Sequence, residues 1–111
     1  MDTTDCIVVL VTVSSRDEAE HIAAAVVSEE LAACVNIVGP IESIYRWDNR
    51  VQHDQELLLV IKTRAALAGE LEARVRALHS YQTPEVIALP ITSGSPNYLD
   101  WLRSATRTRT E

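Results

Sequence analysis

The segment CIVVLVTV at 6–13 places apolar side chains at odd and even positions alike, the pattern of a strand covered on both faces. Beyond it the period lengthens. Ala19, Ile22, Ala23, Val26, Val27 and Leu31 recur at spacings of three and four, which predicts an amphipathic helix over 16–31 with His21 and Glu29 off its apolar face. Ser15 and Glu18 have capping-box spacing, in which the hydroxyl accepts an amide at the helix start and the carboxylate returns to the Ser15 amide.

Two strand-forming runs follow, at 34–47 and 51–63, joined at Asp48-Asn49-Arg50, with Gly39-Pro40 interrupting the first. They predict one long, bent β-hairpin. Each arm exceeds the usual strand of about 5–6 residues, so a domain this small cannot cover both along their length. LLLVI at 57–61 is apolar on both faces, while QHDQE at 52–56 is polar and faces the apolar Ile44, Tyr45 and Trp47. The inner half is expected in the core, and the outer half, through Ile44, Tyr45 and Trp47, at a contact between subunits.

Thr63 is placed to cap a second helix, whose stripe is Leu67, Leu71, Val75 and Leu78. Glu70 with Arg74 and Glu72 with Arg76 form i,i+4 pairs in the favourable order, and Gly69 weakens the helix slightly. EVIALP at 85–90 reads as a fourth strand, with Pro90 at its end or on an edge. Ser95-Pro96 opens a last helix that turns Leu99 and Leu102 inward, with Tyr98 and Trp101 beside them. The tail at 106–111 has nothing to bury and is expected to fray.

The order β-α-β-β-α-β plus a terminal helix is the split βαβ pattern of the ferredoxin-like fold, an α+β architecture with two helices on one face of an antiparallel sheet. It predicts one domain over 1–111, folded over 5–105. The strands at 6–13 and 57–61 are apolar on both sides, so the sheet's other face also needs cover, which self-association supplies.

The chain has 111 residues, 47% of them hydrophobic, with no Phe, so the core is built from Val, Ile, Leu and Ala. Sixteen acidic residues against ten Lys and Arg give a net charge of −6. That balance argues against a nucleic-acid surface, which needs clustered positive charge, and is compatible with cations as partners. No apolar run reaches the roughly 20 residues that span a bilayer, and the start lacks the basic region of a secretory signal. A cytoplasmic protein with no membrane association is expected, its Cys6 and Cys34 free thiols in a reducing compartment. There is no Ser/His/Asp arrangement, no glycine-rich phosphate loop among three Gly, and no closely spaced ligand set, so no enzymatic activity is expected.

The runs LAACVNIVGPIESIYRWDNRVQ, LLLVIKT, LHSYQTPEVIALPI and PNYLDWL, in this order and spacing, closely resemble the CutA family of divalent-cation tolerance proteins. The resemblance implies a homotrimer built like the signalling PII proteins, with hairpin arms joining sheets across subunits. It also implies a part in tolerance of copper and other divalent metals, with no established reaction. In copper-binding members the ligands are a Cys in the first strand and two adjacent His before the Tyr-Gln-Thr-Pro-Glu motif. Here those positions are Val11, Leu78 and His79, so only His79 survives. A Cu or Zn site on His79 alone is expected to be weak, since copper wants several soft or imidazole ligands.

The other polar residues divide between ordinary and chemical roles. His79 either meets the last carbonyls of the second helix or serves as a ligand. His53 falls on the opposite face from Asp54 and Glu56, which read as a solvated edge or a weak cation site. Cys34 is a small buried hydrophobe or a metal or redox thiol, and a Cys34–His79 dyad cannot be placed from sequence. By analogy with PII-like trimers, Cys34, Lys62, His79, Tyr81 and Glu85 are candidates for a cleft between subunits. Lys62 and Glu85 either pair there or serve a ligand. The alternative function to metal tolerance is accordingly a PII-like sensor that takes a small anion or metabolite in that cleft.

Overall fold

A computed structural model describes residues 4–108. The elements are β1 (Cys6–Val13), α1 (Arg16–Ser28), β2 (Cys34–Trp47), β3 (Arg50–Arg64), α2 (Ala68–Leu78, entered through a 3-10 turn at Ala65–Leu67), β4 (Val86–Pro90) and α3 (Pro96–Ser104). The four strands form one antiparallel sheet in the order β2-β3-β1-β4. This is the α+β, ferredoxin-like arrangement expected from the element order. No helix among the described residues is long and apolar enough to cross a membrane.

Alternation sorts each strand between two faces. The odd residues Val9, Val11 and Val13 of β1 and Leu57, Leu59 and Ile61 of β3 are buried, and they pack with Ala19, Ile22 and Val26 of α1 and Leu71 and Val75 of α2. The even residues Val8, Leu10, Leu58 and Val60 are only half-buried. In register with them lie Ile87 and Leu89 of β4 and Val38 of β2, all exposed. One face of the sheet is thus covered by α1 and α2, and the other presents an apolar surface to solvent.

α3 covers only the end of that second face. Leu99 and Leu102 bury Cys6 and Ala33 there, and burial pushes the Cys6 thiol up from its ordinary range. Arg103 fixes the helix by donating to Asp5 at 2.9 Å, and its guanidinium holds the Asp5 carboxyl below the usual carboxylate range. The tail does not fray where it leaves α3. Thr106 is buried and takes a hydrogen bond from Arg64 at 2.9 Å. The Arg107 amide donates to the Glu30 carbonyl at 2.8 Å and its side chain pairs with Glu70. The backbone and charged groups of Arg64, Glu30 and Glu70 give these residues partners that apolar patterning does not register. Residues 109–111 lie outside the described residues.

The hairpin turns at Asp48 and Asn49, whose φ values of 53° and 59° suit a two-residue turn matched to strand twist. Nearer the core, Val38 pairs with Leu58 but Ile41 pairs with Glu56, so Gly39 and Pro40 together stand against Leu57 alone. This is a β-bulge, carrying a cis Gly39-Pro40 bond. It has a geometric result that uninterrupted alternation hides. Up to Val38 the even residues of β2 share the exposed sheet face, whereas beyond the bulge the odd residues Ile41, Ser43, Tyr45 and Trp47 do so.

Candidate functional site

On that same sheet face, at the end away from α3, a cleft of about 730 Å³ opens between the outer hairpin and the 81–85 segment. The bulge decides which side chains form its first wall. Tyr45 and Trp47 share that face with Glu56, because Trp47 pairs with Arg50, Tyr45 with Gln52 and Ile41 with Glu56. Ile44 also lines the cleft but is opposite His53 on the alternate face. The second wall is Tyr81, Pro84 and Glu85.

Glu56 is the buried polar group of this cleft, only 8% exposed. One of its oxygens accepts from the Tyr81 hydroxyl at 2.9 Å. Burial, followed by this bond to a carboxylate, pushes the Tyr81 phenol up to about 12. Tyr45 donates to Asp54, which raises its phenol as well. The lining residues include two carboxylates, Glu56 and Glu85, and no Lys, Arg or His. Three aromatic rings and two acids therefore face one space.

His79 lies beneath this site, its side chain fully buried. Nε2 is 2.7 Å from the Thr12 carbonyl and Nδ1 accepts the Tyr81 amide at 3.0 Å. Together these bonds require the neutral tautomer with its proton on Nε2. The ring thus fastens the 79–81 turn to β1 and does not meet the α2 carbonyls. Both nitrogens are engaged inside the protein, so a metal would have to displace one of these bonds. Among the described residues no group of three or more His, Cys, Asp or Glu side chains comes together as a metal site. Val11 is in the core and Leu78 packs against it.

Glu18 completes the anchorage of this turn. Its carboxylate accepts from the Ser80 amide at 2.6 Å and from the Ser80 hydroxyl at 3.0 Å. The Ser15 hydroxyl caps α1 by accepting the Glu18 amide at 3.2 Å, as expected, but the Glu18 carboxylate does not return to the Ser15 amide. It serves a segment 62 residues away instead.

The proposed cleft set separates into two groups. Cys34 is directly across from Lys62, and Lys62 donates to Asn36. These residues are level with Val8 of β1, while Tyr81, Glu85 and His79 are level with Thr12. Four residues of strand separate the groups, roughly 13 Å at about 3.3 Å per residue. Within one chain there is therefore no Lys62–Glu85 ion pair and no Cys34–His79 dyad. Both thiols are free. Tyr45, Trp47, Tyr81 and Glu85 do converge. Glu56, grouped by its polar neighbours with a solvated edge, is instead the cleft's buried acid. The signal for it was its place immediately before the core residue Leu57.

Comparison with known proteins agrees with this architecture. The family model described as CutA1 divalent ion tolerance protein matches residues 7–105. The "Divalent-cation tolerance protein CutA" of Thermus thermophilus is 56% identical over 99 residues, covering 89% of this chain and 96% of the relative. The "Protein CutA, chloroplastic" of Arabidopsis thaliana is 54% identical over 105 residues, 95% of this chain, and this chain spans 58% of that relative's length. The crystal structure of CutA1 from Oryza sativa superposes with a TM-score of 0.93 at 50% identity, covering 96% of this chain and 98% of that one. The chain belongs to the CutA1 divalent ion tolerance family.

Proposed function

We propose that this protein acts as a cytoplasmic homotrimer that contributes to tolerance of divalent cations, contacting copper or zinc weakly and catalysing no reaction. The observation that carries the assembly is the uncovered sheet face. Val8, Leu10, Leu58, Val60, Ile87 and Leu89 form a contiguous apolar surface on a small domain, and surfaces of this kind mark interaction sites. Further copies of the same chain are the occupants proposed, with the outer hairpin reaching across the contact. The two free thiols support a reducing compartment.

Metal contact on this reading belongs to exposed carboxylates rather than to His79, whose ring nitrogens are both engaged. Light scattering should give three times the 12.3 kDa chain mass, and a monomer mass would refute the assembly. Calorimetry with Cu(II) and Zn(II) should show weak heats that are the same for wild type and His79→Ala. Tight binding abolished by His79→Ala would return the metal to that ring. No cationic side chain of the same chain lines the cleft beside the outer hairpin, so the alternative, a sensor of a small anion or metabolite between subunits, needs Lys62 or a neighbouring copy to supply the positive charge.

A further inference from the structure

We infer that the hydrogen bond from Tyr81 to Glu56 is a brace, which holds the outer hairpin at a fixed angle to the sheet and so presents it to a second copy of the chain. β1 pairs with β3 only as far as Leu57. Beyond the bulge, 41–47 and 50–56 therefore pair with each other and with no third strand among the described residues. A two-stranded ribbon on its own is marginally stable in water. Among the described residues the side-chain hydrogen bonds of this ribbon are Tyr45 to Asp54, within the arm, and Tyr81 to Glu56, which joins the arm to the body.

Both ends of that bond suit a brace. Glu56 lies opposite Ile41 in the first pair beyond the two-against-one pairing at Gly39-Pro40, where a bulge bends the strand. It is buried, and a buried carboxylate that loses its donor is costly, so a tilt that parts it from Tyr81 is opposed. Tyr81 is itself held. Its amide donates to His79 Nδ1 and its ring lies 4.7 Å from the His79 ring, while His79 meets the Thr12 carbonyl of β1 and Ser80 is tied to Glu18 of α1. The sheet and the first helix thus fix the phenol, and the phenol fixes the arm. From Ile41 to Trp47 the arm runs roughly 20 Å at about 3.3 Å per residue, so a tilt of about 10° at its root carries Trp47 by about 3 Å. A shift of that size breaks side-chain contacts, which act within about 4 Å. The part played in assembly rests on the homotrimer proposed above, whereas the brace itself does not.

Hydrogen exchange on the intact protein tests the brace with Tyr81→Phe, which removes the hydroxyl and keeps the ring. Amides of 41–47 and 50–56 should exchange about fivefold faster in Tyr81→Phe, the factor that one net hydrogen bond supplies. Ile22→Val, a core change of similar cost to overall stability, should leave exchange in the arm unchanged. Glu56→Gln keeps an acceptor for the phenol and should fall nearer to wild type than Tyr81→Phe does. Light and isotope-labelled subunits, mixed, should exchange between assemblies at least about fivefold faster in Tyr81→Phe, by the same factor, and at the wild-type rate in Ile22→Val. Arm amides that exchange alike in wild type and Tyr81→Phe, or that Ile22→Val accelerates equally, would overturn the brace. Faster arm exchange with unchanged subunit exchange would overturn its part in assembly. A single-chain mass by light scattering would defeat the homotrimer and that part with it, while exchange in the arm would still decide the brace.

Discussion

The Tyr81 phenol keeps its proton where an ordinary tyrosine would lose it. Its pKa is pushed from 10.0 to about 12, first by burial and then by the Glu56 carboxylate. A pKa raised on folding means the folded state holds a proton that the unfolded chain releases. The associated stability is intact below pH 10 and drains away as pH rises towards about 12. Tyr81→Phe should remove this residue's share of the alkaline decline in urea-unfolding stability, and with it the last phenolate to appear in an ultraviolet titration. At neutral pH the same change should cost about 1 kcal/mol for the lost hydrogen bond. Ser15→Ala should cost a similar amount, about 1 kcal/mol, by uncapping α1. Local spacing found the Ser15 half of that cap and missed the other half. Glu18 was free to choose between a nearby amide and the distant Ser80, and only the folded chain brings Ser80 within reach.

Among the elements, two glycines should respond to alanine with opposite signs. Gly39 has φ +151°, and an added Cβ would lie 2.5 Å from a methyl of Leu57. Gly39→Ala should therefore destabilise by more than about 1 kcal/mol in equilibrium unfolding. Gly69 lies in α2 with nothing within 4 Å of an added Cβ, and Gly69→Ala should stabilise by about 0.5 kcal/mol. The strands and helices themselves were readable because CIVVLVTV, LLLVI and the stripe through Ile22 and Val26 are strongly periodic. Facing within the outer hairpin was not. Ile44, Tyr45 and Trp47 look equivalent as apolar neighbours, but the two-against-one pairing at Gly39-Pro40 shifts the phase, so that only Tyr45 and Trp47 share a face with Glu56.

For the whole molecule, the apolar sheet face ties the proposed assembly to solubility. Leu10→Glu, placed in the middle of that face between Val60 and Ile87, should leave the helix-packed core intact. It should lower the mass found by light scattering to that of a single chain. An unchanged mass would place the subunit contact elsewhere. The need for a covered second face followed from composition, since β1 and the inner part of β3 lack a polar side. The cleft did not, because its walls come from segments 25 or more residues apart and its acid, Glu56, sits in a polar run. The docking of Thr106 and Arg107 escaped for a related reason, since their partners are backbone and charged groups rather than an apolar stripe. The bulge at Gly39-Pro40 also sets how the hairpin tolerates a change of length. Deleting Pro40 alone would leave Gly39 against Leu57 and Ile41 still opposite Glu56, so Tyr45 and Trp47 would keep their side of the sheet. The extra residue can therefore be lost from the ladder without changing which side chains meet across it, and what would go with it is the bend that the bulge gives the arm.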